Sequence, residues 1–244
     1  MFEYLEKIMK LIKSVFLCGA SFFALNVNAQ CSNTNLSAWS NFQDNGAVNV
    51  TAASAMGGTA CGIEVAVKHS TKSYVADQNA TNEQRYRAAM CVDPNGIVLP
   101  SAGTDRRLKF HASQCTVGTC PNTGMVQFKL ENDGSQHSIK GYVRDANSAA
   151  TKRKFDVPLA DAPNRVEYDF NMTAGTFKLW VDATSEADTP VIDFSGIDVA
   201  AWSGGVSEAR LGSTNNPVNV TADQVVYLDE FESRRQTFIG GTCN

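Results

Sequence analysis

The chain has 244 residues, of which 43% are hydrophobic and 19% charged, and its formal net charge at pH 7 is −4. This length and hydrophobic content suffice for one domain with a buried core. The acidic balance argues against a protein that binds nucleic acid through its whole surface, because such proteins carry an excess of positive charge.

The first 29 residues have the pattern of an export signal. Three lysines precede an apolar run at 14–25, and a small-x-small cleavage site follows at 27–29. The apolar run is shorter than the roughly 20 residues that cross a bilayer, so no transmembrane segment is predicted. Acidic residues at the very start are unusual in a signal, and Met9 is a better initiator. We therefore expect a secreted, periplasmic or extracellular bacterial protein whose mature part, 30–244, is a single domain.

Six cysteines remain after the signal, and an even number in an exported chain predicts disulfides. Cys115 and Cys120 are close enough in sequence to form a tight loop. If the terminal strands pair, the chain ends lie side by side, which predicts the disulfide Cys31–Cys243 and leaves Cys61–Cys91. Zinc is not expected, because no C-x-x-C spacing occurs and the chain has three histidines.

Hydrophobic and polar residues alternate in seven windows of the mature chain: 63–68, 85–92, 107–111, 126–131, 139–144, 166–171 and 177–182. Side chains on a strand point to opposite faces with a period of two, so each window predicts a strand with one core face and one solvated face. Asn-Gly and Asp-Gly turns separate several windows. The pattern predicts an all-β fold, an antiparallel two-sheet jelly-roll sandwich held by disulfides.

Two stretches carry a family resemblance. Residues 164–182 form a strand, a glycine turn and a second strand ending in Leu179-Trp180-Val181-Asp182. Residues 209–212 and 225–231 have the form of a closing strand pair. Both stretches resemble the laminin-G-like, or concanavalin A-like lectin/glucanase, jelly rolls. The resemblance implies a jelly roll, but that superfamily includes lectins, adhesive modules, glycoside hydrolases and polysaccharide lyases, so it leaves the function open.

A glucanase site is not predicted. Glucanases of that superfamily carry Glu-x-Asp-x-Glu on one strand, which places an acid and a nucleophile on one face. The nearest match is Glu167-Tyr168-Asp169-Phe170-Asn171, in which asparagine stands at the place of the third carboxylate. We expect Glu167 and Asp169 to lie on a solvated strand face instead. Serine-hydrolase and phosphate-loop motifs are also absent from the sequence.

The solvated sides of the windows are rich in basic and aromatic residues: Arg85, Arg87, Arg107, Lys109, His111, Gln127, Lys129, Lys140, Tyr142, Arg144, Lys178 and Trp180. On one sheet they would form a basic surface for an acidic polysaccharide, since arginine pairs with carboxylate or sulfate and aromatic rings stack on sugars. The leading hypothesis is therefore a non-catalytic glycan-binding module. Alternatively, these cations keep the strands soluble and are divided between two sheets, as in a structural or adhesive envelope protein.

The resemblance implies two further possibilities. Polysaccharide lyases of this fold use Arg, Gln or Asn, His and Tyr on their concave sheet, and Arg107, Gln127, His111 and Tyr142 are of those types. No lyase motif matches over consecutive residues. Jelly rolls of this kind often hold a structural Ca²⁺, for which Asp229 and Asp44 are the candidates. No other cofactor is expected.

Overall fold

Strands make up nearly all of the regular structure in this computed structural model. It describes residues 31–43, 45–67, 72–100, 107–122, 124–132, 134–215 and 223–244. Within these ranges lie fourteen strands and two short 3-10 helices, Asn33–Ala38 and Ala149–Thr151. No helix in the described ranges is long and apolar enough to cross a membrane.

The strands are numbered in chain order: β1 Asn41–Gln43, β2 Val48–Thr51, β3 Gly62–Ala66, β4 Ser73–Glu83, β5 Arg85–Asp93, β6 Leu108–Gln114, β7 Val126–Asn132, β8 His137–Arg144, β9 Lys152–Leu159, β10 Asn164–Asn171, β11 Thr176–Val181, β12 Ile192–Phe194, β13 Val206–Ser213 and β14 Val225–Arg234. They form two seven-stranded sheets. The front sheet has the order β1-β4-β13-β6-β7-β8-β9, and the back sheet has the order β12-β11-β10-β5-β14-β3-β2. All strand pairs are antiparallel, so the two-sheet sandwich predicted from the alternating windows is confirmed.

The core lies between the two sheets and is rich in aromatic rings. Phe128 on the front sheet meets Tyr168 on the back sheet edge-to-face at 5.3 Å between ring centroids. Phe155 and Phe177 stack across the same space at 5.5 Å. Rings in these arrangements add about 0.5–1.5 kcal/mol per pair to the stabilisation from burial. The aliphatic sides of the windows therefore do face one common core.

A β-bulge in β6 moves His111 away from the predicted solvated face. Lys109 pairs with Lys129 of β7, but the register then shifts, and His111 pairs with Phe128. Cross-strand partners share a face of the sheet, so His111 points into the core, where it is fully buried. Its Nε2 lies 3.1 Å from the Tyr168 hydroxyl and 3.3 Å from Ser113 Oγ. The prediction that His111 faces solvent is wrong.

Burial of His111 makes the stability of the protein dependent on pH. Desolvation lowers its pKa to about 3, while in the unfolded chain it is about 6.5. The unfolded state thus binds a proton more readily, and the stability present above pH 6.5 is lost as the pH falls towards 3. We expect wild type to lose about 1.4 kcal/mol per pH unit in this interval relative to the variant His111→Gln. Urea unfolding of both proteins at pH 7, 6, 5 and 4 measures this difference, and parallel pH profiles would contradict it.

The disulfides differ from the prediction at four of the six cysteines. Cys115 and Cys120 are joined, as expected. The other two bonds are Cys31–Cys61 and Cys91–Cys243, so the predicted pairs Cys31–Cys243 and Cys61–Cys91 are wrong.

The terminal strands do not pair with each other, which explains the different pairing. β1 pairs with β4 in the front sheet, whereas β14 lies between β5 and β3 in the back sheet. Asn33 follows Cys31 and accepts a hydrogen bond from Val50 N at 2.9 Å, which holds the N-terminal segment beside β2 and the start of β3. The C-terminal segment instead follows β14 back to β5, which contains Cys91.

Candidate functional site

The predicted basic surface is divided between the two sheets. The front sheet and the residue preceding β6 carry eight members of the set, of which His111 faces the core and seven remain: Arg107, Lys109, Gln127, Lys129, Lys140, Tyr142 and Arg144. The back sheet carries Arg85 and Arg87 on β5 and Lys178 and Trp180 on β11. The condition that all of these residues share one sheet is therefore not met, the alternative that they are divided between two sheets is confirmed, and the two groups have different surroundings.

On the back sheet, the C-terminal segment 235–244, here called the strap, covers the outer face. Arg87 is fully buried between the rings of Trp180 and Phe238, with its guanidinium carbon 5.3 and 5.5 Å from the two ring centroids. Its nitrogens lie 3.3 Å from Glu167 and 2.8 Å from Glu186. Neither Arg87 nor Trp180 is accessible to a ligand.

The carboxylates of the glucanase-like stretch are also buried. Glu167 is 2% exposed and accepts backbone N–H groups of Ile239 and Gly240, both at 2.9 Å. Burial raises its pKa, and these two hydrogen bonds and Arg87 act in the opposite direction. Asp169 is 7% exposed and receives two hydrogen bonds from Arg85, at 3.1 and 2.7 Å. The expectation that Glu167 and Asp169 lie on a solvated face is wrong, because the distant strap folds back over Glu167, and Arg85 and Arg87 engage Asp169.

The outer face of the front sheet is open, and its register places cations side by side. Lys109 on β6, Lys129 on β7 and Lys140 on β8 are successive cross-strand partners. A second row contains Gln127, Tyr142 and Lys154, from β7 to β9, and a third contains Arg144 and Lys152, on β8 and β9. Strand β9 thus adds two lysines that the predicted set does not contain.

These rows border a cavity of about 630 Å³, here called the front groove, which is lined by Arg107, Lys129, Lys140, Gly141, Tyr142, Lys152, Lys154, Phe155 and Asp156. Its volume lies within the about 300–1,000 Å³ typical of ligand sites. Its lining has five basic side chains and one acidic side chain.

Some cations of this face are neutralised by neighbouring carboxylates. Arg107 pairs with Glu131, and Lys140 pairs with Asp156. Beyond the groove, Arg210 on β13 pairs with Glu208. Arg144 is buried, donates to Gly124 O at 3.3 Å and lies 5.5 Å from the Tyr142 ring centroid. These interactions hold the side chains in place and reduce their capacity to bind an external anion.

Four lysines of this face have no such partner. Within the part of the chain that the structure describes, no carboxylate lies within ion-pair distance of Lys109, Lys129, Lys152 or Lys154. These four residues, which cross the face from β6 to β9, are called the lysine ladder below.

Three lysines of the ladder have pKa values below the usual value for lysine. Burial, followed by repulsion from Lys129 and other cations, lowers the pKa of Lys109 to about 8. The pKa of Lys129 is also lowered, first by burial and then by Arg107, Lys152 and Lys154. Burial lowers the pKa of Lys152 as well. An anion bound between these side chains would relieve the repulsion.

The aromatic side chains predicted to stack on sugars are not available for stacking. Tyr142 is 6% exposed, and Lys152 Nζ lies 4.6 Å above its ring centroid. Trp180 is 2% exposed on the other sheet, where its Nε1 donates to Asp188 O at 3.0 Å. The front groove therefore offers charge rather than open ring faces.

The four residues considered for lyase chemistry are not brought together. His111 lies in the core, on the opposite side of the front sheet from the groove. Arg107 is paired with Glu131, while Gln127 and Tyr142 are neighbours on the groove face. The predicted set thus lacks its histidine on the face where a sugar could bind.

The calcium hypothesis concerns Asp229 and Asp44. Asp229 accepts a hydrogen bond from Met56 N at 2.7 Å, another from Thr59 Oγ1 and a third, on its other oxygen, from Glu230 N at 2.8 Å. Both oxygens are thus already occupied by protein donors. Asp44 lies outside the described residues, and within those residues no group of three His, Cys, Asp or Glu side chains could hold a metal ion. The calcium site stays a prediction.

At the sequence level, no family model matches this chain and no curated protein resembles it. Its fold, however, resembles those of solved carbohydrate-active enzymes. The catalytic domain of a glycoside hydrolase family 131 protein from Coprinopsis cinerea is 13% identical, with a TM-score of 0.53 over 89% of this chain and 95% of that chain. An alginate lyase from Pseudomonas aeruginosa is 12% identical, with a TM-score of 0.51 over 80% of this chain and 88% of that one.

A third structure, a carbohydrate esterase from the Shiga toxin-encoding bacteriophage phi24B, is 9% identical, with a TM-score of 0.54 over 84% of this chain and 95% of that one. At these identities the comparisons establish a shared jelly-roll fold and nothing more. This agrees with the jelly-roll architecture that the sequence resemblance implies.

Proposed function

We propose that this protein binds an acidic polysaccharide in the front groove without cleaving it. The observation that carries the proposal is the lysine ladder, four cations on one open face that have no carboxylate partner among the described residues. Like charges close together are destabilising, so the presence of these four on β6, β7 and β9 is best explained by a ligand that supplies the missing negative charge.

Three further observations support a glycan as that ligand. The structural neighbours described above include, by their names, a glycoside hydrolase, an alginate lyase and a carbohydrate esterase, and alginate is a uronate polymer. The groove is open and its lining extends from Arg107, just before β6, to Lys152 and Asp156 on β9, which suits a chain rather than a compact molecule. The three disulfides and the export-type N-terminus agree with a protein that meets polysaccharides outside the cell.

The arrangement of titratable groups favours binding without cleavage. β-Elimination needs a proton acceptor and a proton donor beside the sugar, and His111, one of the four residues considered for this chemistry, is buried behind the sheet. Glycoside hydrolysis needs two accessible carboxyl groups, whereas Glu167 is covered by the strap and Asp169 is buried and engaged by Arg85 and Arg87.

The proposal is tested by calorimetric titration of the folded domain with alginate, polygalacturonate and heparin. A neutral β-glucan is the matched control, and each titration is run at about 50 and 200 mM salt. We expect binding to the acidic polymers that weakens about tenfold or more at the higher salt, by analogy with other polyanions, and none to the glucan. The absence of salt-sensitive binding throughout would refute the proposal, and release of unsaturated sugars would show that the groove cleaves.

Binding should also weaken at alkaline pH. Lys109 has a pKa of about 8, so it is charged at pH 7 and largely neutral at pH 9. Loss of its charge removes one of four attractions to the polyanion, which predicts a severalfold weaker association at pH 9. In the variant Lys109→Arg the charge persists, so its affinity should change much less over the same range. Calorimetry at both pH values compares the two proteins, and an equal decline in both would argue against a role for Lys109.

A further inference from the structure

The positions of the unpaired lysines also carry information about the length and charge density of the ligand. This inference rests on the proposed function. We infer that the front groove recognises a linear polyanion with a negative charge on every sugar, lying across the strands from β6 to β9 and engaging at least three consecutive sugars.

The lysine ladder extends over four neighbouring strands, from β6 to β9. Lys109 lies on β6, its cross-strand partner Lys129 lies on β7, and Lys152 and Lys154 lie on β9. Neighbouring strands are about 4.8 Å apart, so three intervals separate the ends of the ladder by about 14 Å across the sheet, in addition to their offset along the strands. A single anion can bridge two neighbouring lysines but cannot reach across this distance. A chain with several anionic groups can satisfy both ends at once.

The carboxylates of this face restrict the direction in which a bound polyanion can lie. The strand between β7 and β9 contributes Lys140, which is neutralised by Asp156. Carboxylates also border the groove and its neighbourhood at Glu131 and Glu208, each held by an arginine. A path straight across the strands from Lys109 and Lys129 passes Lys140 and ends on Asp156, and a path along β7 meets Glu131. An oblique path from Lys109 and Lys129 to Lys154 and Lys152 avoids both carboxylates. The favourable path therefore crosses the strands obliquely from β6 to β9.

The residue types of the cations indicate which anionic groups of a ligand the groove accepts. All four unpaired cations are lysines, while the arginines of this face, Arg107, Arg144 and Arg210, are engaged within the protein. Lysine is a flexible point charge, whereas arginine selects planar carboxylates by two parallel hydrogen bonds. The buried Tyr142 adds no open ring face. The groove therefore selects for the spacing of negative charges and accepts a carboxylate or a sulfate on each sugar.

The test uses galacturonate oligomers of defined length, from monomer to hexamer, titrated calorimetrically into the wild-type domain. We expect affinity to rise by about tenfold or more between monomer and tetramer and then to change less than about threefold per added sugar. Partially methyl-esterified oligomers of the same length should bind about tenfold more weakly, because their charges are interrupted. An oligomer with one sulfate per sugar should bind within about threefold of the uronate.

The variant Lys154→Gln tests the span directly, with Lys178→Gln on the back sheet as the matched control. Loss of the β9 end should weaken tetramer binding about fivefold or more and leave dimer binding nearly unchanged, and the control should match wild type. Equal affinities for monomer and tetramer, or full tolerance of methyl esterification, would overturn the inference while leaving the binding function intact. No binding of any oligomer or polymer would refute the proposed function itself.

Discussion

Replacement of Lys129 by glutamate is expected to abolish polysaccharide binding in the front groove, with a loss of affinity of about 100-fold or more. Lys129 occupies the centre of the ladder, opposite Lys109 and close enough to Arg107, Lys152 and Lys154 to feel their charges. The substitution removes one attraction, introduces a repulsion and gives Lys109 an internal partner. A 100-fold loss corresponds to about 2.7 kcal/mol, which two altered charge contacts in a half-buried site can supply.

Lys129→Glu should reduce polysaccharide affinity without reducing the stability of the fold. Lys129 is among like charges in the free protein, so Lys129→Glu should leave the thermal midpoint unchanged or raise it. The matched control is Lys178→Glu, which makes the same change on the back sheet at an exposed lysine 3.7 Å from Asp193. Affinity electrophoresis in polygalacturonate gels and thermal unfolding of the three proteins provide the comparison. A folded Lys129→Glu protein that binds like wild type would exclude the front groove as the site.

Alternating windows were sufficient to predict the sandwich, because burial of one face per strand leaves a direct signal in the sequence. The windows at 166–171 and 177–182 correspond to β10 and β11, which pair in the register that their hydrophobic sides require. Strand β9 has the same signal, with Phe155, Val157 and Leu159 facing inward. It could have been found in the same way, and with it Lys152 and Lys154, half of the ladder.

Other features of the site depend on interactions that a window does not contain. The bulge that turns His111 inward is a property of how β6 pairs with β7, and the pattern of β6 alone does not reveal it. Alternation also assigns a residue to a face without assigning the strand to a sheet. Arg87 and Lys129 therefore occupy the same kind of polar position in their alternating windows, although Arg87 is covered by the strap and Lys129 lines the groove.

The contrast between these two cations has a physical origin. Arg87 is surrounded by carboxylates and rings contributed by distant segments, so its charge is satisfied inside the protein. Lys129 has neighbours of its own sign, so its charge is satisfied only from outside. Basic side chains thus contribute to the stability of the fold on the back sheet and to the proposed binding of a polyanion on the front sheet.

The largest effect on stability is expected for Arg87→Met. The guanidinium is fully buried and lies within 3.5 Å of carboxylate oxygens of Glu167, Asp169 and Glu186. Removal of one member of a buried charge network leaves the others uncompensated and costs about 3–5 kcal/mol. Methionine retains much of the apolar contact with Trp180 and Phe238, so most of the loss should be electrostatic. Urea unfolding at pH 7 measures it.

The matched control is Arg85→Met on the same strand. The Arg85 side chain is 33% exposed, and its partner Asp169 keeps Arg87 at 3.5 Å when Arg85 is removed, so we expect a loss below about 1 kcal/mol. In Arg87→Met, the Glu167 carboxylate keeps its negative charge but loses the arginine beside it. Protonation would remove that charge, and burial already raises the pKa of this carboxyl group. The difference between Arg87→Met and wild type should therefore shrink as the pH is lowered from 7 to 4. Equal losses in the two arginine variants, or a deficit independent of pH, would mean that the strap is held by packing and the disulfide rather than by the buried charges.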